Sequence, residues 1–325
     1  MSDVLSLAEC CAFHPAVSTL RACTRCDKPA CPDCLVDAAV GSHCVECVGT
    51  ATKQARRLAR ADVDKRQLFR PGLAFGLLVA VFGVFAVLTA RTPVSDLLGP
   101  AATRIGPIVL LFAGWVISLC FHEHAHALAA YLGGDRSVVE KGYLTLDPRR
   151  YAHPLLTFGL PIAFLLLGGI GLPGGAVYIE HDRLRSRRWE TIVSLAGPAA
   201  NVLFGAAILG VVSSGVADSM PSLAATLAFL GAINLFAAMA NLIPLPGLDG
   251  YHAMAPYLSE RARSTLEPFA LYSFVVLYFL LAYSALGQGF IDLSVVGAEA
   301  MGVPGELVGT GAAGSTVTLP GTTLE

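Results

Sequence analysis

The sequence predicts an all-α polytopic membrane protein, about five full transmembrane helices plus a re-entrant hairpin, with a small zinc-binding module at its N-terminus. Three observations lead there. Of 325 residues, 54% are hydrophobic and only 14% charged, and the mean hydropathy is +0.63, too apolar for a soluble globule. The apolar residues gather in runs long enough to cross a bilayer. Eight of the nine cysteines fall within the first 47 residues, in closely spaced pairs. The formal net charge of −2 leaves no basic field of the kind that gathers nucleic acid, so no such partner is expected. The first long apolar run starts near Gly72, behind a polar, Cys-rich start that does not resemble a secretory signal peptide.

Residues 1–50 form the first expected domain. The pairs are Cys11 with His14, Cys23 with Cys26, Cys31 with Cys34 and Cys44 with Cys47, each separated by two residues. This spacing suits metal ligation better than disulfides and fits a reducing, cytoplasmic face. So short a segment builds little apolar core, so two structural zincs would supply much of its folding energy. Cys10 and His43 are alternative ligands. The arrangement resembles a B-box-type zinc finger, which implies a cross-brace: first pair with third, second with fourth. Both sites would be closed by four protein ligands, so the module is expected to dock a cytoplasmic protein partner or to regulate, not to catalyse.

Residues 51–70 read as a basic juxtamembrane helix, with Lys53, Arg56, Arg57, Arg60, Lys65, Arg66 and Arg70 marking the cytoplasmic side of the cell membrane. A membrane core is expected over 71–287. Its first span is 72–90, about 28 Å long at the helical rise. The second, 105–132, returns inward. Residues 154–171 are apolar enough to span, and 172–180 reads as a turn and short strand. The arginines at 183, 185, 187 and 188 would lie outside if 154–171 crossed alone, so 154–180 is expected to enter and return as a hairpin. Such an extended edge could pair with an extended substrate. Further spans are expected at 191–215, 223–244 and 269–286. The remainder, 288–325, is small, polar and Gly-rich, and reads as a disordered tail.

The most informative stretch is LCFHEHAH, residues 119–126, in the inner half of the second span. His122 and His126 are four apart, so on a helix they share one face and can occupy two positions of a tetrahedral zinc. Glu123 lies beside them and can take a proton from water activated there. An ionised Asp at a span's centre costs about 2.5–3.5 kcal/mol even on the lenient scale, which makes such residues functional by default. His124 points off the metal face, and Cys120 reads as packing. A third ligand is needed, and Asp249 in NLIPLPGLDG is the best candidate. Pro244 and Pro246 break the helix there, and Gly250 allows close approach. His252 reads as a surface residue. In the third span, Gly197-Pro-Ala-Ala-Asn201 places an Asn in an apolar helix, to hydrogen-bond either a substrate carbonyl or another helix.

HEHAH, GPAAN and NLIPLPGLDG occur in this order across roughly 72–286, and together they resemble the site-2 protease family of intramembrane zinc metalloproteases. The resemblance implies one catalytic Zn2+ held by His122, His126 and Asp249, Glu123 as general base and then acid, and Asn201 as a substrate-positioning residue. It implies a transmembrane protein as substrate, such as a membrane-anchored regulator, cut within the lipid bilayer. No inserted PDZ-sized domain is visible, and the zinc-finger module departs from the simplest family pattern. A metal-binding transporter or sensor, or a scaffold recruited through the fingers, is the alternative. A transporter would spread polar groups along a pathway, whereas here they cluster at one depth.

Overall fold

The computed structural model describes residues 9–19, 21–24, 26–37, 42–48, 71–97, 104–151 and 177–315. The basic linker at 51–70 and the apolar stretch 154–171 lie outside the described residues, as does the turn through 176. The chain divides into two compact units, Met1–Val63 and Asp64–Glu325.

The first unit is built from two small hairpins. β1 (Glu9–Cys10) pairs antiparallel with β2 (Ser18–Thr19), and β3 (Leu35–Asp37) with β4 (Ser42–Cys44) in the register Val36 to His43. Its buried cluster consists largely of the metal-ligand residue types themselves: Cys11, Cys23, Cys31, Cys34 and Cys44, with Ala30. Asp27 takes φ 56°, a left-handed turn that lets the chain fold back after Cys26.

The second unit is helical. Among the described residues, four helices are long and apolar enough to cross a membrane: α1 (Leu73–Ala90), α2 (Ile105–Gly133), α3 (Arg187–Ser213) and α4 (Pro221–Asn241). α4 is central and largely buried, while α1 turns many leucines and valines outward, as a lipid-facing helix does. α2 packs on α1 and α3, and α3 packs on α4. Small residues allow this closeness. A Cβ on Gly231 of α4 would lie 2.6 Å from Leu209 of α3, and one on Gly205 would lie 2.8 Å from the Gly231 carbonyl. Inside the interface Ser118 of α2 hydrogen-bonds Asn234 of α4.

After α4 the chain turns through a short α5 (Asp249–Met254), then continues in α6 (Ala270–Tyr283) and α7 (Ala285–Ala300). Residues 275–283 and 285–300 are bent by 70° and make a fifth span if the pair is one. Ser284 forms the break by capping α7, accepting from the Leu286 N–H at 3.2 Å.

The expectation of a disordered tail from 288 onward is corrected. α7 runs to Ala300, and α8 (Gly305–Ser315) packs against α4. The Gly and Ala content that reads as flexibility serves close packing. A Cβ on Gly311 would lie 2.8 Å from Phe229, and one on Gly314 would lie 2.9 Å from Leu97. Val303 and Val308 are buried, and the buried Arg104 reaches the Ala313 carbonyl at 3.4 Å, near the helix C-terminus. Residues 316–325 lie outside the described residues.

Candidate active site

His122, Glu123 and His126 lie on α2 and are buried. Their rings meet edge to face, and the two Nε2 atoms are 3.0 Å apart. Asp249 comes from the first turn of α5 and completes the group. Its Oδ2 is 3.3 Å from His122 Nε2, and its Oδ1 is 3.3 Å from His126 Nε2. The loop before it explains the placement. Gly247 is left-handed at φ 89°, and a Cβ on Gly250 would lie 2.7 Å from the Ile243 carbonyl, so α5 can sit directly on the end of α4. Thr191 of α3 hydrogen-bonds the Ala253 carbonyl at 2.9 Å and ties down the other end of α5.

The donor set suits a metal. His122 Nδ1 lies 2.9 Å from Asn201 Oδ1, and His126 Nδ1 lies 2.7 Å from the Val193 carbonyl. Both acceptors hold hydrogen on Nδ1, so both Nε2 lone pairs point into the group. Asp249 Oδ2 is buried there and accepts no hydrogen bond among the described residues. Two lone pairs and a carboxylate converging without a proton donor is an arrangement that a cation relieves. α3 leaves the space for it: a Cβ on Gly197 would lie 2.6 Å from His122 Nε2 and closer still to His126 Nε2. His122, His126 and Asp249 thus form one of three groups in the described residues able to hold a metal ion.

The other two groups are Cys11, His14, Cys31 and Cys34, and Cys23, Cys26, Cys44 and Cys47, joining first pair with third and second with fourth. His14 Nδ1 is 3.4 Å from Cys31 Sγ and 3.3 Å from Cys34 Sγ; the Cys31 N–H points at Cys11 Sγ and the Cys44 N–H at Cys23 Sγ. Each group offers four donors and no open position. Cys10 is exposed, and neither it nor His43 joins a group.

Around the helical site, the Val177 backbone N–H faces the Glu123 carboxylate. Of the turn and short strand expected at 172–180, only residues 177–180 are described, and they carry no ladder pairing among the described residues. They are held by Asp135 Oδ2, which accepts from the Glu180 N–H at 2.9 Å, and by Lys141 Nζ, which donates to the Tyr178 carbonyl at 3.0 Å. His124 is buried on another face of α2 and meets the Leu144 backbone. Cys120 packs with Phe75, Ile117 and Leu146. His252 is exposed and stacks on His181 at 6.4 Å. Sequence reasoning missed Asp135, Thr191 and the Val193 carbonyl. Asp135 directly follows the Gly133-Gly134 helix stop, a visible signal; a backbone carbonyl carries none.

No family model matches the chain, and no solved structure does. Relatives are found among proteins named "Putative zinc metalloprotease". Rip2 of Mycolicibacterium smegmatis is 39% identical over 246 residues, 76% of this chain and 93% of that protein. Rip2 of Mycobacterium tuberculosis H37Rv is 42% identical over 224 residues, 67% of this chain and 84% of that protein. YwhC of Bacillus subtilis is 29% identical over 191 residues, 53% of this chain and 80% of that protein. This similarity, spanning almost the whole length of the first relative, joins the His122, His126, Asp249 cluster, whose two histidines lie on a membrane-length helix: the chain belongs to the site-2 protease family of zinc metalloproteases.

Proposed function

We propose that the protein hydrolyses a peptide bond within or next to a transmembrane segment of a membrane-anchored protein, with catalytic zinc held by His122, His126 and Asp249. The observation that carries this reading is the convergence of both Nε2 atoms and the Asp249 carboxylate beside Glu123, on a helix able to cross a membrane. Zinc held there supplies Lewis acidity toward water and toward a carbonyl oxygen. Glu123, buried and one residue from His122, accepts the proton as water attacks the carbonyl carbon and returns it to the departing amide nitrogen. Asn201 and Val193 orient the two imidazoles. Burial of the site excludes bulk water and strengthens each of these interactions.

The same reading gives the N-terminal module two structural zincs and a cytoplasmic protein partner. The arginines at 183, 185, 187 and 188 lead into or begin α3, a few turns from Gly197, so the positive-inside bias puts the active site toward the cytoplasmic side of the cell membrane. The test is Glu123→Gln in cells co-expressing a tagged membrane-anchored substrate. Cleavage is expected to stop while the zinc content of the purified protein stays unchanged. Continued cleavage would remove Glu123 from the mechanism.

A further inference from the structure

We propose that Asn201 is a positioning residue: its side-chain carbonyl fixes the tautomer of His122 and so prepares Nε2 to receive the metal. This rests on the reading of His122, His126 and Asp249 as the zinc site. A neutral imidazole carries one N–H, and ligation through Nε2 requires that hydrogen on Nδ1. His122 Nδ1 lies 2.9 Å from Asn201 Oδ1, and both residues are buried. A carbonyl oxygen only accepts, so it holds hydrogen on Nδ1. The opposite amide orientation would donate to Nδ1, force hydrogen onto Nε2, and aim that hydrogen at Asp249 Oδ2, 3.3 Å away.

His126 obtains the same service from the Val193 backbone carbonyl at 2.7 Å, which no side-chain substitution removes. Asn201 is therefore the replaceable half of a matched pair. Its place follows from Gly197, four residues earlier on the same face of α3. With no side chain there, α3 approaches the imidazoles closely enough for Asn201 to reach His122. The expectation that Asn201 serves the substrate concerns its other end: Oδ1 is engaged with His122, and only the amide N–H is left to meet a substrate carbonyl.

The experiment uses full-length protein purified in detergent. His122→Ala identifies the zinc belonging to the helical site, and chelator competition measures its affinity in variants of Asn201. Asn201→Ala and Asn201→Leu, which keeps the branching but not the acceptor, are expected to weaken it about 10–100-fold. Asn201→Asp, which keeps an acceptor against Nδ1, is expected to stay within a few-fold of wild type. The metal-free forms of all variants should keep the helical content of wild type by circular dichroism. The inference is overturned if Asn201→Ala or Asn201→Leu holds this zinc as tightly as wild type, or if Asn201→Asp is no better than Ala. A wild-type zinc content that His122→Ala leaves unchanged would overturn the zinc-site reading itself, and the inference with it.

Discussion

Gly197→Ala is the smallest change that tests the geometry of the site, because it adds one methyl group where the structure leaves room for a metal. An ideal Cβ at 197 would lie 2.6 Å from His122 Nε2 and 2.6 Å from His126 Cε1, against a floor of 3.0 Å for real Cβ contacts. The difference, 3.0 − 2.6, requires about 0.4 Å of movement at two atoms at once, and more at His126 Nε2. Neither imidazole can swing away freely, since each is held at Nδ1 by α3 itself. Either α3 retreats from α2, at an overpacking cost of about 1–3 kcal/mol, or the ligand atoms leave positions that must hold within about 0.2 Å. Both routes cost the metal. Gly197→Ala should therefore lose the zinc that His122→Ala loses, and with it all cleavage, while helical content by circular dichroism stays as in wild type. Gly210→Ala on the same helix meets nothing within 4 Å and is the matched control. It should keep the zinc and be unchanged or stabilised by up to about 1 kcal/mol, from the better helix propensity of Ala. A Gly197→Ala protein that binds zinc at wild-type affinity would refute the cradle argument.

Other predictions follow from the same structure. In the N-terminal unit, Cys11→Ser with Cys34→Ser should remove one zinc, and Cys11→Ser with Cys44→Ser should remove two, since only the first pair of changes falls within one group; zinc counting decides this. In the C-terminal helix, Gly311→Leu should lower the melting temperature in detergent, by overpacking against α4 worth about 1–3 kcal/mol, whereas Gly309→Ala, with open space around it, should not. The Arg149 guanidinium hydrogen-bonds Asp147 and holds its carboxyl below the ordinary carboxylate range. A lowered folded-state pKa contributes stability above the unfolded value, near pH 4, and loses it as pH falls through the folded value. Arg149→Leu should therefore destabilise only slightly at pH 7, because the arginine is largely exposed and solvent screens the pair. The difference should vanish in melts at the acid end.

Much of this protein is determined by local sequence. A four-residue spacing puts His122 and His126 on one helix face whatever surrounds them, and runs of apolar residues make membrane-length helices by length and composition alone. The NLIPLPGLDG stretch must break α4, because its prolines lack donors, and so Asp249 must leave the helix axis. The paired ligands of the N-terminal unit are visible in the same way, each pair being separated by two residues.

What only the tertiary structure decides is what approaches these residues from far along the chain. Asn201 can be seen as a polar residue in an apolar helix. That it meets His122, and by which end of its amide, depends on how α3 lies against α2. The Val193 carbonyl has no side-chain signature at all, since every residue has one. Gly197 is recognisable as small, but the space it leaves belongs to atoms 71 and 75 positions earlier, on His126 and His122. The C-terminal helix is hidden from the sequence for the same reason. Glycine and alanine favour disorder when nothing covers them and close packing when a partner helix does, and only the fold brings α4 to α8. Periodicity and backbone chemistry act over a few residues and are legible in order, whereas the close approach of distant helices is set by the packing of all of them together.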